Sequence, residues 1–94
     1  EAIQKAVSDY YNISVDDIKS KSRKKTFTIP RHIAIYLCLK LTEMAQEEIG
    51  QEFGGRDHST IIASRDFIVT KLKLGDLAIS DIIKSLTKQL KADN

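Results

Sequence analysis

A glycine pair, Gly54-Gly55, lies between two segments whose apolar residues recur at helical spacing, and this feature most restricts how the chain can fold. Upstream, Gln46 to Phe53 (QEEIGQEF) suits a short helix; downstream, Ile61, Ile62, Ile68, Val69 and Leu72 mark one face of a longer one. Two helices joined by a tight glycine turn form a helix-turn-helix. The turn runs into Arg56-Asp57-His58-Ser59-Thr60, a helix start made almost entirely of hydrogen-bonding side chains. Asp57 is suited to N-cap that helix, because its short carboxylate can take up a backbone N–H that the first turn leaves without a partner. His58, Ser59 and Thr60 then project from the first turn, where such helices meet base edges in the major groove.

The rest of the pattern is also helical. Ile3, Val7, Tyr10 and Tyr11 mark a first helix ended by Asn12, and Ser14 with Asp17 resembles an acidic capping box opening a short second helix, with Val15 and Ile18 inward. Ser20 to Thr28 reads as a basic loop. Pro30 fits the first turn of a helix, where its missing N–H removes no bond, so an apolar central helix is expected from Pro30 to about Ala45. The second helix of the helix-turn-helix is expected from about His58 to Lys73, stopped near Gly75. A last helix, capped by Asp76 or Ser80, carries Ile79, Ile82, Ile83, Leu86 and Leu90 on one face and ends in a frayed tail from Lys91 to Asn94. The expected fold is all-α, a small bundle of about six helices in one domain over residues 1–94.

Charge is distributed unevenly. The net charge is +2, yet Lys19 to Thr42 holds Lys19, Lys21, Arg23, Lys24, Lys25, Arg31 and Lys40 with no acid, a local +7, so the remaining residues sum to −5. A charge run is usually a solvated face. Here it precedes a helix and then the helix-turn-helix, the arrangement in which a flanking arm supplies phosphate and minor-groove contacts. Arg23, mid-loop, is the side chain best placed for a narrow, negative A·T-rich minor groove, while Lys21, Lys24, Lys25, Arg31, Lys40 and Arg56 are candidates for phosphates. Asp57 can accept from a cytosine amino group, His58 can donate to guanine, and Ser59 and Thr60 offer hydroxyls of either polarity.

Other chemistry finds little support. Asp57, His58 and Ser59 are adjacent on one helical turn, point in different directions and cannot form a catalytic relay, so no enzyme activity is expected. His32 and His58 lack Cys or His neighbours at ligand spacing, which argues against a metal site. No GxxxxGK[ST] phosphate loop occurs, and Cys38, alone within an apolar helix, reads as a small buried hydrophobe. No run of eighteen apolar residues and no basic-then-apolar leader is found, so a cytoplasmic, nucleoid-associated location is expected. Because the chain opens at Glu1 and not at Met, it is expected to be a piece of something longer.

The block GGRDHST, with EIGQEFGG before it and IPRHIAIYLCLKL further upstream, resembles the signature of the C-terminal domain of bacterial DnaA replication initiators, and the resemblance runs from Val7-Ser8-Asp9-Tyr10-Tyr11 to the last helix. It implies a helix-turn-helix of Trp-repressor-like type that binds double-stranded DNA at the DnaA boxes of replication origins. The aspartate, the histidine and the following hydroxyl residue, here Asp57, His58 and Ser59, would read the major groove, and Arg23 the minor groove. The resemblance also implies ATP on an upstream AAA+ domain outside this chain, no cofactor within it, contacts to other initiator protomers through domains outside this chain, and regulatory protein partners. Three positions depart from the family's commonest pattern: Ser59 stands where threonine is frequent, Lys25 replaces an arginine of some members and loses bidentate ability, and Glu47 replaces a groove-touching proline. A carboxylate at that last position would repel phosphate, so the contact is not carried over.

Two rival readings remain. A helical protein-binding module could dock a basic partner through the acidic face Glu43, Glu47, Glu48 and Glu52, although a solvated face explains those glutamates more simply. A Trp-repressor-like dimer with a small-molecule corepressor is the other. It lacks support because no long exposed apolar helix face calls for a twin, and the basic loop suits a monomer that grips both grooves.

Overall fold

The computed structural model describes residues 2–92, and within them the chain forms six α-helices: α1 (Ala2–Tyr11), α2 (Val15–Lys19), α3 (Lys25–Leu41), α4 (Gln46–Glu52), α5 (His58–Lys73) and α6 (Leu77–Ala92). The boundaries follow local chemistry. Asn12 ends α1 in the left-handed region (φ 56°), with the Ile13 N–H reaching back to the Ser8 carbonyl at 3.0 Å. The capping box opening α2 is present: Ser14 Oγ accepts from the Asp17 N–H at 2.9 Å, and the Asp17 carboxylate accepts from the Ser14 N–H at 3.3 Å. Of the two candidate caps for α6, Asp76 does the work, its carboxylate accepting from the Ile79 N–H at 3.0 Å. Lys91 and Ala92 complete α6; the remainder of the expected frayed tail, Asp93 and Asn94, lies outside the described residues.

The central helix departs from expectation at both ends. It begins five residues before Pro30, at Lys25, so the basic loop shrinks to 20–24 and Pro30 is internal. The Lys24 carbonyl accepts from the N–H groups of Phe27 and Thr28, both at 2.9 Å, and the extra turn packs Ile29 against the core. Pro30 sits close enough to the start that only one ladder bond, to Thr26, is missing. At the far end α3 stops at Leu41, not Ala45, because the Thr42 hydroxyl and N–H both turn back to the Cys38 carbonyl, at 2.6 and 3.2 Å.

As its pattern suggested, α3 is the hub and packs against every other helix. Ile33, Ala34, Ile35 and Leu37 are fully buried and meet Val7 of α1, Ile18 of α2, Ile49 of α4, Ile61 and Ile68 of α5 and Leu86 of α6 in one core. Burying each of these larger aliphatic side chains contributes roughly 1.5–3 kcal/mol of transfer free energy.

Candidate nucleic-acid interface

The turn between α4 and α5 is built around the backbone of Gly50. Its carbonyl accepts from the N–H groups of Phe53, Gly55 and Arg56, at 3.2, 3.0 and 3.0 Å. The chain passes so closely over Gly50 that a Cβ there would lie 2.0 Å from the Arg56 carbonyl oxygen. Gly54 serves a second approach. Its φ of +81° is one that L side chains rarely adopt, and a Cβ on it would lie 2.5 Å from the Lys19 carbonyl oxygen. The turn is thus pressed against the strand of chain that leads into the basic loop.

Two long side chains fasten that contact. Arg56 Nη2 donates to the Ser20 carbonyl at 2.6 Å, and Nη1 donates to the carbonyls of Lys19, at 3.1 Å, and of Phe53. From the other side Lys21 Nζ donates to the Gly54 carbonyl at 3.2 Å. The basic loop and the tip of α5, some 35 residues apart in sequence, therefore form one surface. The expectation that Arg56 serves as a phosphate ligand is corrected accordingly: both terminal nitrogens are committed to backbone carbonyls, so Arg56 braces the site from half-buried depth.

Arg31 is corrected more sharply. Only 5% exposed, it donates from Nε to the Ile18 carbonyl at 2.6 Å, from Nη1 to Ser22 at 3.1 Å and from Nη2 to Asp17 at 3.3 Å. It collects the carbonyls at the end of α2 and in the loop, and its charge is not presented to a ligand. Burial, and then the neighbouring Arg56 charge, pull its pKa below the ordinary guanidinium value. Among the expected basic residues, Lys21, Arg23, Lys24 and Lys25 are exposed together, on the loop and the first residue of α3. Lys40 is exposed as well but lies fifteen residues, about 22 Å of helix, beyond Lys25, so it does not join that cluster.

The start of α5 is open to solvent. Asp57, His58, Ser59 and Thr60 are all exposed, and the first buried residue is Ile61. Asp57 Oδ1 accepts from the Thr60 N–H at 3.0 Å and caps the helix; that backbone bond, followed by a bond to the Thr60 side chain, holds its carboxyl below the usual carboxylate value. Behind the tip, His32 of α3 and Ser64 of α5 meet at 2.9 Å (Nδ1 to Oγ), and the His32 ring leans on Phe67 with centroids 4.8 Å apart. Burial first, then the charges of Arg31 and Arg56, lowers the His32 pKa and favours a neutral ring at this joint. The joint pins α5 to α3 where a polar contact is most directional.

The sequence pattern does not show the roles of four residues at this surface. Lys21 reads as another loop charge, yet it ties the loop to the turn. Ala63 is exposed one turn beyond Ser59 on the same face of α5, and an alanine carries no compositional signal. Glu47 and Gln46 of α4 share a shallow hollow with His58, a juxtaposition that only the packing of α4 on α5 creates. Of the four glutamates of the rival docking face, Glu43, Glu47 and Glu48 are exposed, but they do not form a surface separate from the tip of α5. Glu47 borders the tip of α5, Glu48 Oε1 is occupied by the Ala45 N–H at 3.1 Å, and Glu52 is half-buried with its carbonyl held by Gln4 at 2.7 Å. Among the described residues no helix is long and apolar enough to cross a membrane.

Known proteins share this arrangement. The DnaA chromosomal replication initiator proteins of Geotalea uraniireducens and Treponema denticola are 48% and 43% identical to it over 90 and 91 residues, covering 96% and 97% of this chain. The chain spans about a fifth of the length of these relatives. A crystal structure of a DNA replication initiation factor superposes with a TM-score of 0.82 at 32% identity, over 94% of this chain and 26% of that one. The pattern of the bacterial DnaA helix-turn-helix family matches residues 1–68, which takes in the basic loop, the central helix, the glycine turn and the exposed tip of α5, and the chain belongs to that family.

Proposed function

We propose that this domain binds double-stranded DNA at DnaA boxes of a replication origin, with the start of α5 in the major groove and the loop 20–24 in the adjacent minor groove. One observation carries the reading: four consecutive exposed polar residues, Asp57 to Thr60, are fastened through Arg56 and Lys21 to a loop that exposes Lys21, Arg23 and Lys24. A helix tip that reads bases and an arm that follows the backbone are then held at one separation before DNA arrives, which lowers the ordering entropy of binding. Asp57, His58, Ser59 and Thr60 are the base readers, Arg23 enters the minor groove, and Lys21, Lys24 and Lys25 take phosphates. Initiation of replication, ATP binding and assembly with further protomers belong, on this reading, to the longer protein of which the relatives are examples.

His58→Ala tests the base-reading half. It removes an exposed ring without touching Ile61, Ile68 or Leu72, so stability should change by no more than about 0.5 kcal/mol. A box duplex should lose about 1–3 kcal/mol of binding, while a scrambled duplex, held through phosphates, should barely respond. Equal losses on both duplexes, or a large drop in melting temperature, count against the assignment. The electrostatic half is read from salt. With Arg31 and Arg56 committed to carbonyls, Lys21, Lys24 and Lys25 remain for phosphates, and log Kobs against log salt should fall with a slope of roughly −2.7. A slope near zero sinks the DNA reading.

A further inference from the structure

Glu47, near the N-terminus of α4, lines a shallow hollow with Ala45, Gln46 and His58. It is exposed, and the ion pairs found among the described residues are Lys5–Asp9 and Arg65–Asp66, so no cation neutralises it. A solvated carboxylate beside the residue that faces the base edges opposes every approach of a polyanion. It also accepts hydrogen bonds and donates none, so of the groups displayed in the major groove it is satisfied by an exocyclic amino group and repelled by the O6 and N7 of guanine and the O4 of thymine. Its pairing of choice is the N4 amino group of cytosine.

We propose that Glu47 is a specificity-determining residue, which selects a cytosine amino group at the base pair beside the one His58 faces and penalises other sequences there. The proposal rests on the DNA-binding reading above. Its physical basis is a difference between two states of one charge. On a cytosine the carboxylate exchanges water for an amino donor, and the repulsion from nearby phosphates is offset. On guanine or thymine, which offer only acceptors there, the repulsion stands alone, and on adenine the N7 acceptor beside the amino group weakens the pairing, so non-specific binding is held down.

Glu47→Gln keeps the shape and removes the charge at an exposed position; Glu48→Gln removes a charge one residue away whose carboxylate is turned to the Ala45 N–H and does not line the hollow. Parent and both variants are titrated, after a melting curve for each, against a box duplex, the same duplex with every base pair replaced in turn, and a scrambled duplex. Glu47→Gln should bind the scrambled duplex roughly threefold tighter, from Coulomb energy at high dielectric. It should flatten a cytosine preference of about tenfold at a single position, leaving the other positions unchanged. Glu48→Gln should retain that preference. A uniform shift across the whole panel for Glu47→Gln, or a response indistinguishable from that of Glu48→Gln, overturns the proposal and leaves the DNA reading intact. A parent that does not distinguish box from scrambled duplex overturns both.

Discussion

Gly50→Ala should remove a large part of the stability of this domain. The added Cβ would stand 2.0 Å from the Arg56 carbonyl oxygen, and because the obstacle is backbone the clash cannot be relieved by rotating a side chain. Relief requires the turn to lift, which breaks the bonds that the Gly50 carbonyl receives from Phe53, Gly55 and Arg56. Each such bond contributes on the order of 1 kcal/mol, and overpacking adds about 1–3 kcal/mol, so the expected loss is about 4–6 kcal/mol. A domain of this size has roughly 5–14 kcal/mol in total. The melting temperature should fall by 15 °C or more, at about 4–8 °C per kcal/mol. Gly55→Ala is the internal comparison: its φ is +77° but nothing lies within 4 Å of the new methyl, so it should lose only about 1–2 kcal/mol of backbone strain. Urea unfolding of the two variants side by side decides the matter, and a Gly50→Ala protein as stable as Gly55→Ala would show that the turn is not closed in the way described.

Arg31→Met separates structural support from DNA contact. Methionine preserves much of the apolar stem but leaves the carbonyls of Ile18 and Ser22 without their donor, while that of Asp17 keeps only its bonds from Ser20. The expected loss is about 2–4 kcal/mol, the range for orphaned buried acceptors of a charged donor. Measured well below the melting temperature, the salt slope of DNA binding should be unchanged, since a side chain 5% exposed neutralises no phosphate. Lys24→Ala should do the reverse, lowering the magnitude of the slope by about 0.9 with little effect on stability. A stable Arg31→Met protein with a reduced slope would return Arg31 to the DNA-binding surface.

Where a local signal met no tertiary competitor, the sequence determined the structure. The Ser14–Asp17 capping box, the Asp57 cap, the stop at Gly75 and the span of α5 from His58 to Lys73 all depend on atoms within a few residues of each other, and they form as the pattern indicates. The helix-turn-helix and its exposed polar tip were legible for the same reason, and the family resemblance rests on that block. Tertiary structure decided the identity of the supporting residues. Nothing local distinguishes Arg31 or Arg56 from Lys24, because the carbonyls that claim them lie up to 14 and 37 residues away, and a guanidinium becomes a brace only once those carbonyls converge. The start of α3 was misplaced because proline is a strong local marker of a first turn, whereas the gain from packing Ile29 against the core is not visible until the core exists. Glu47 beside His58 follows the same rule. Their pairing across eleven residues is set by how α4 rests on α5, and that angle is fixed by the apolar contacts of α3 with both.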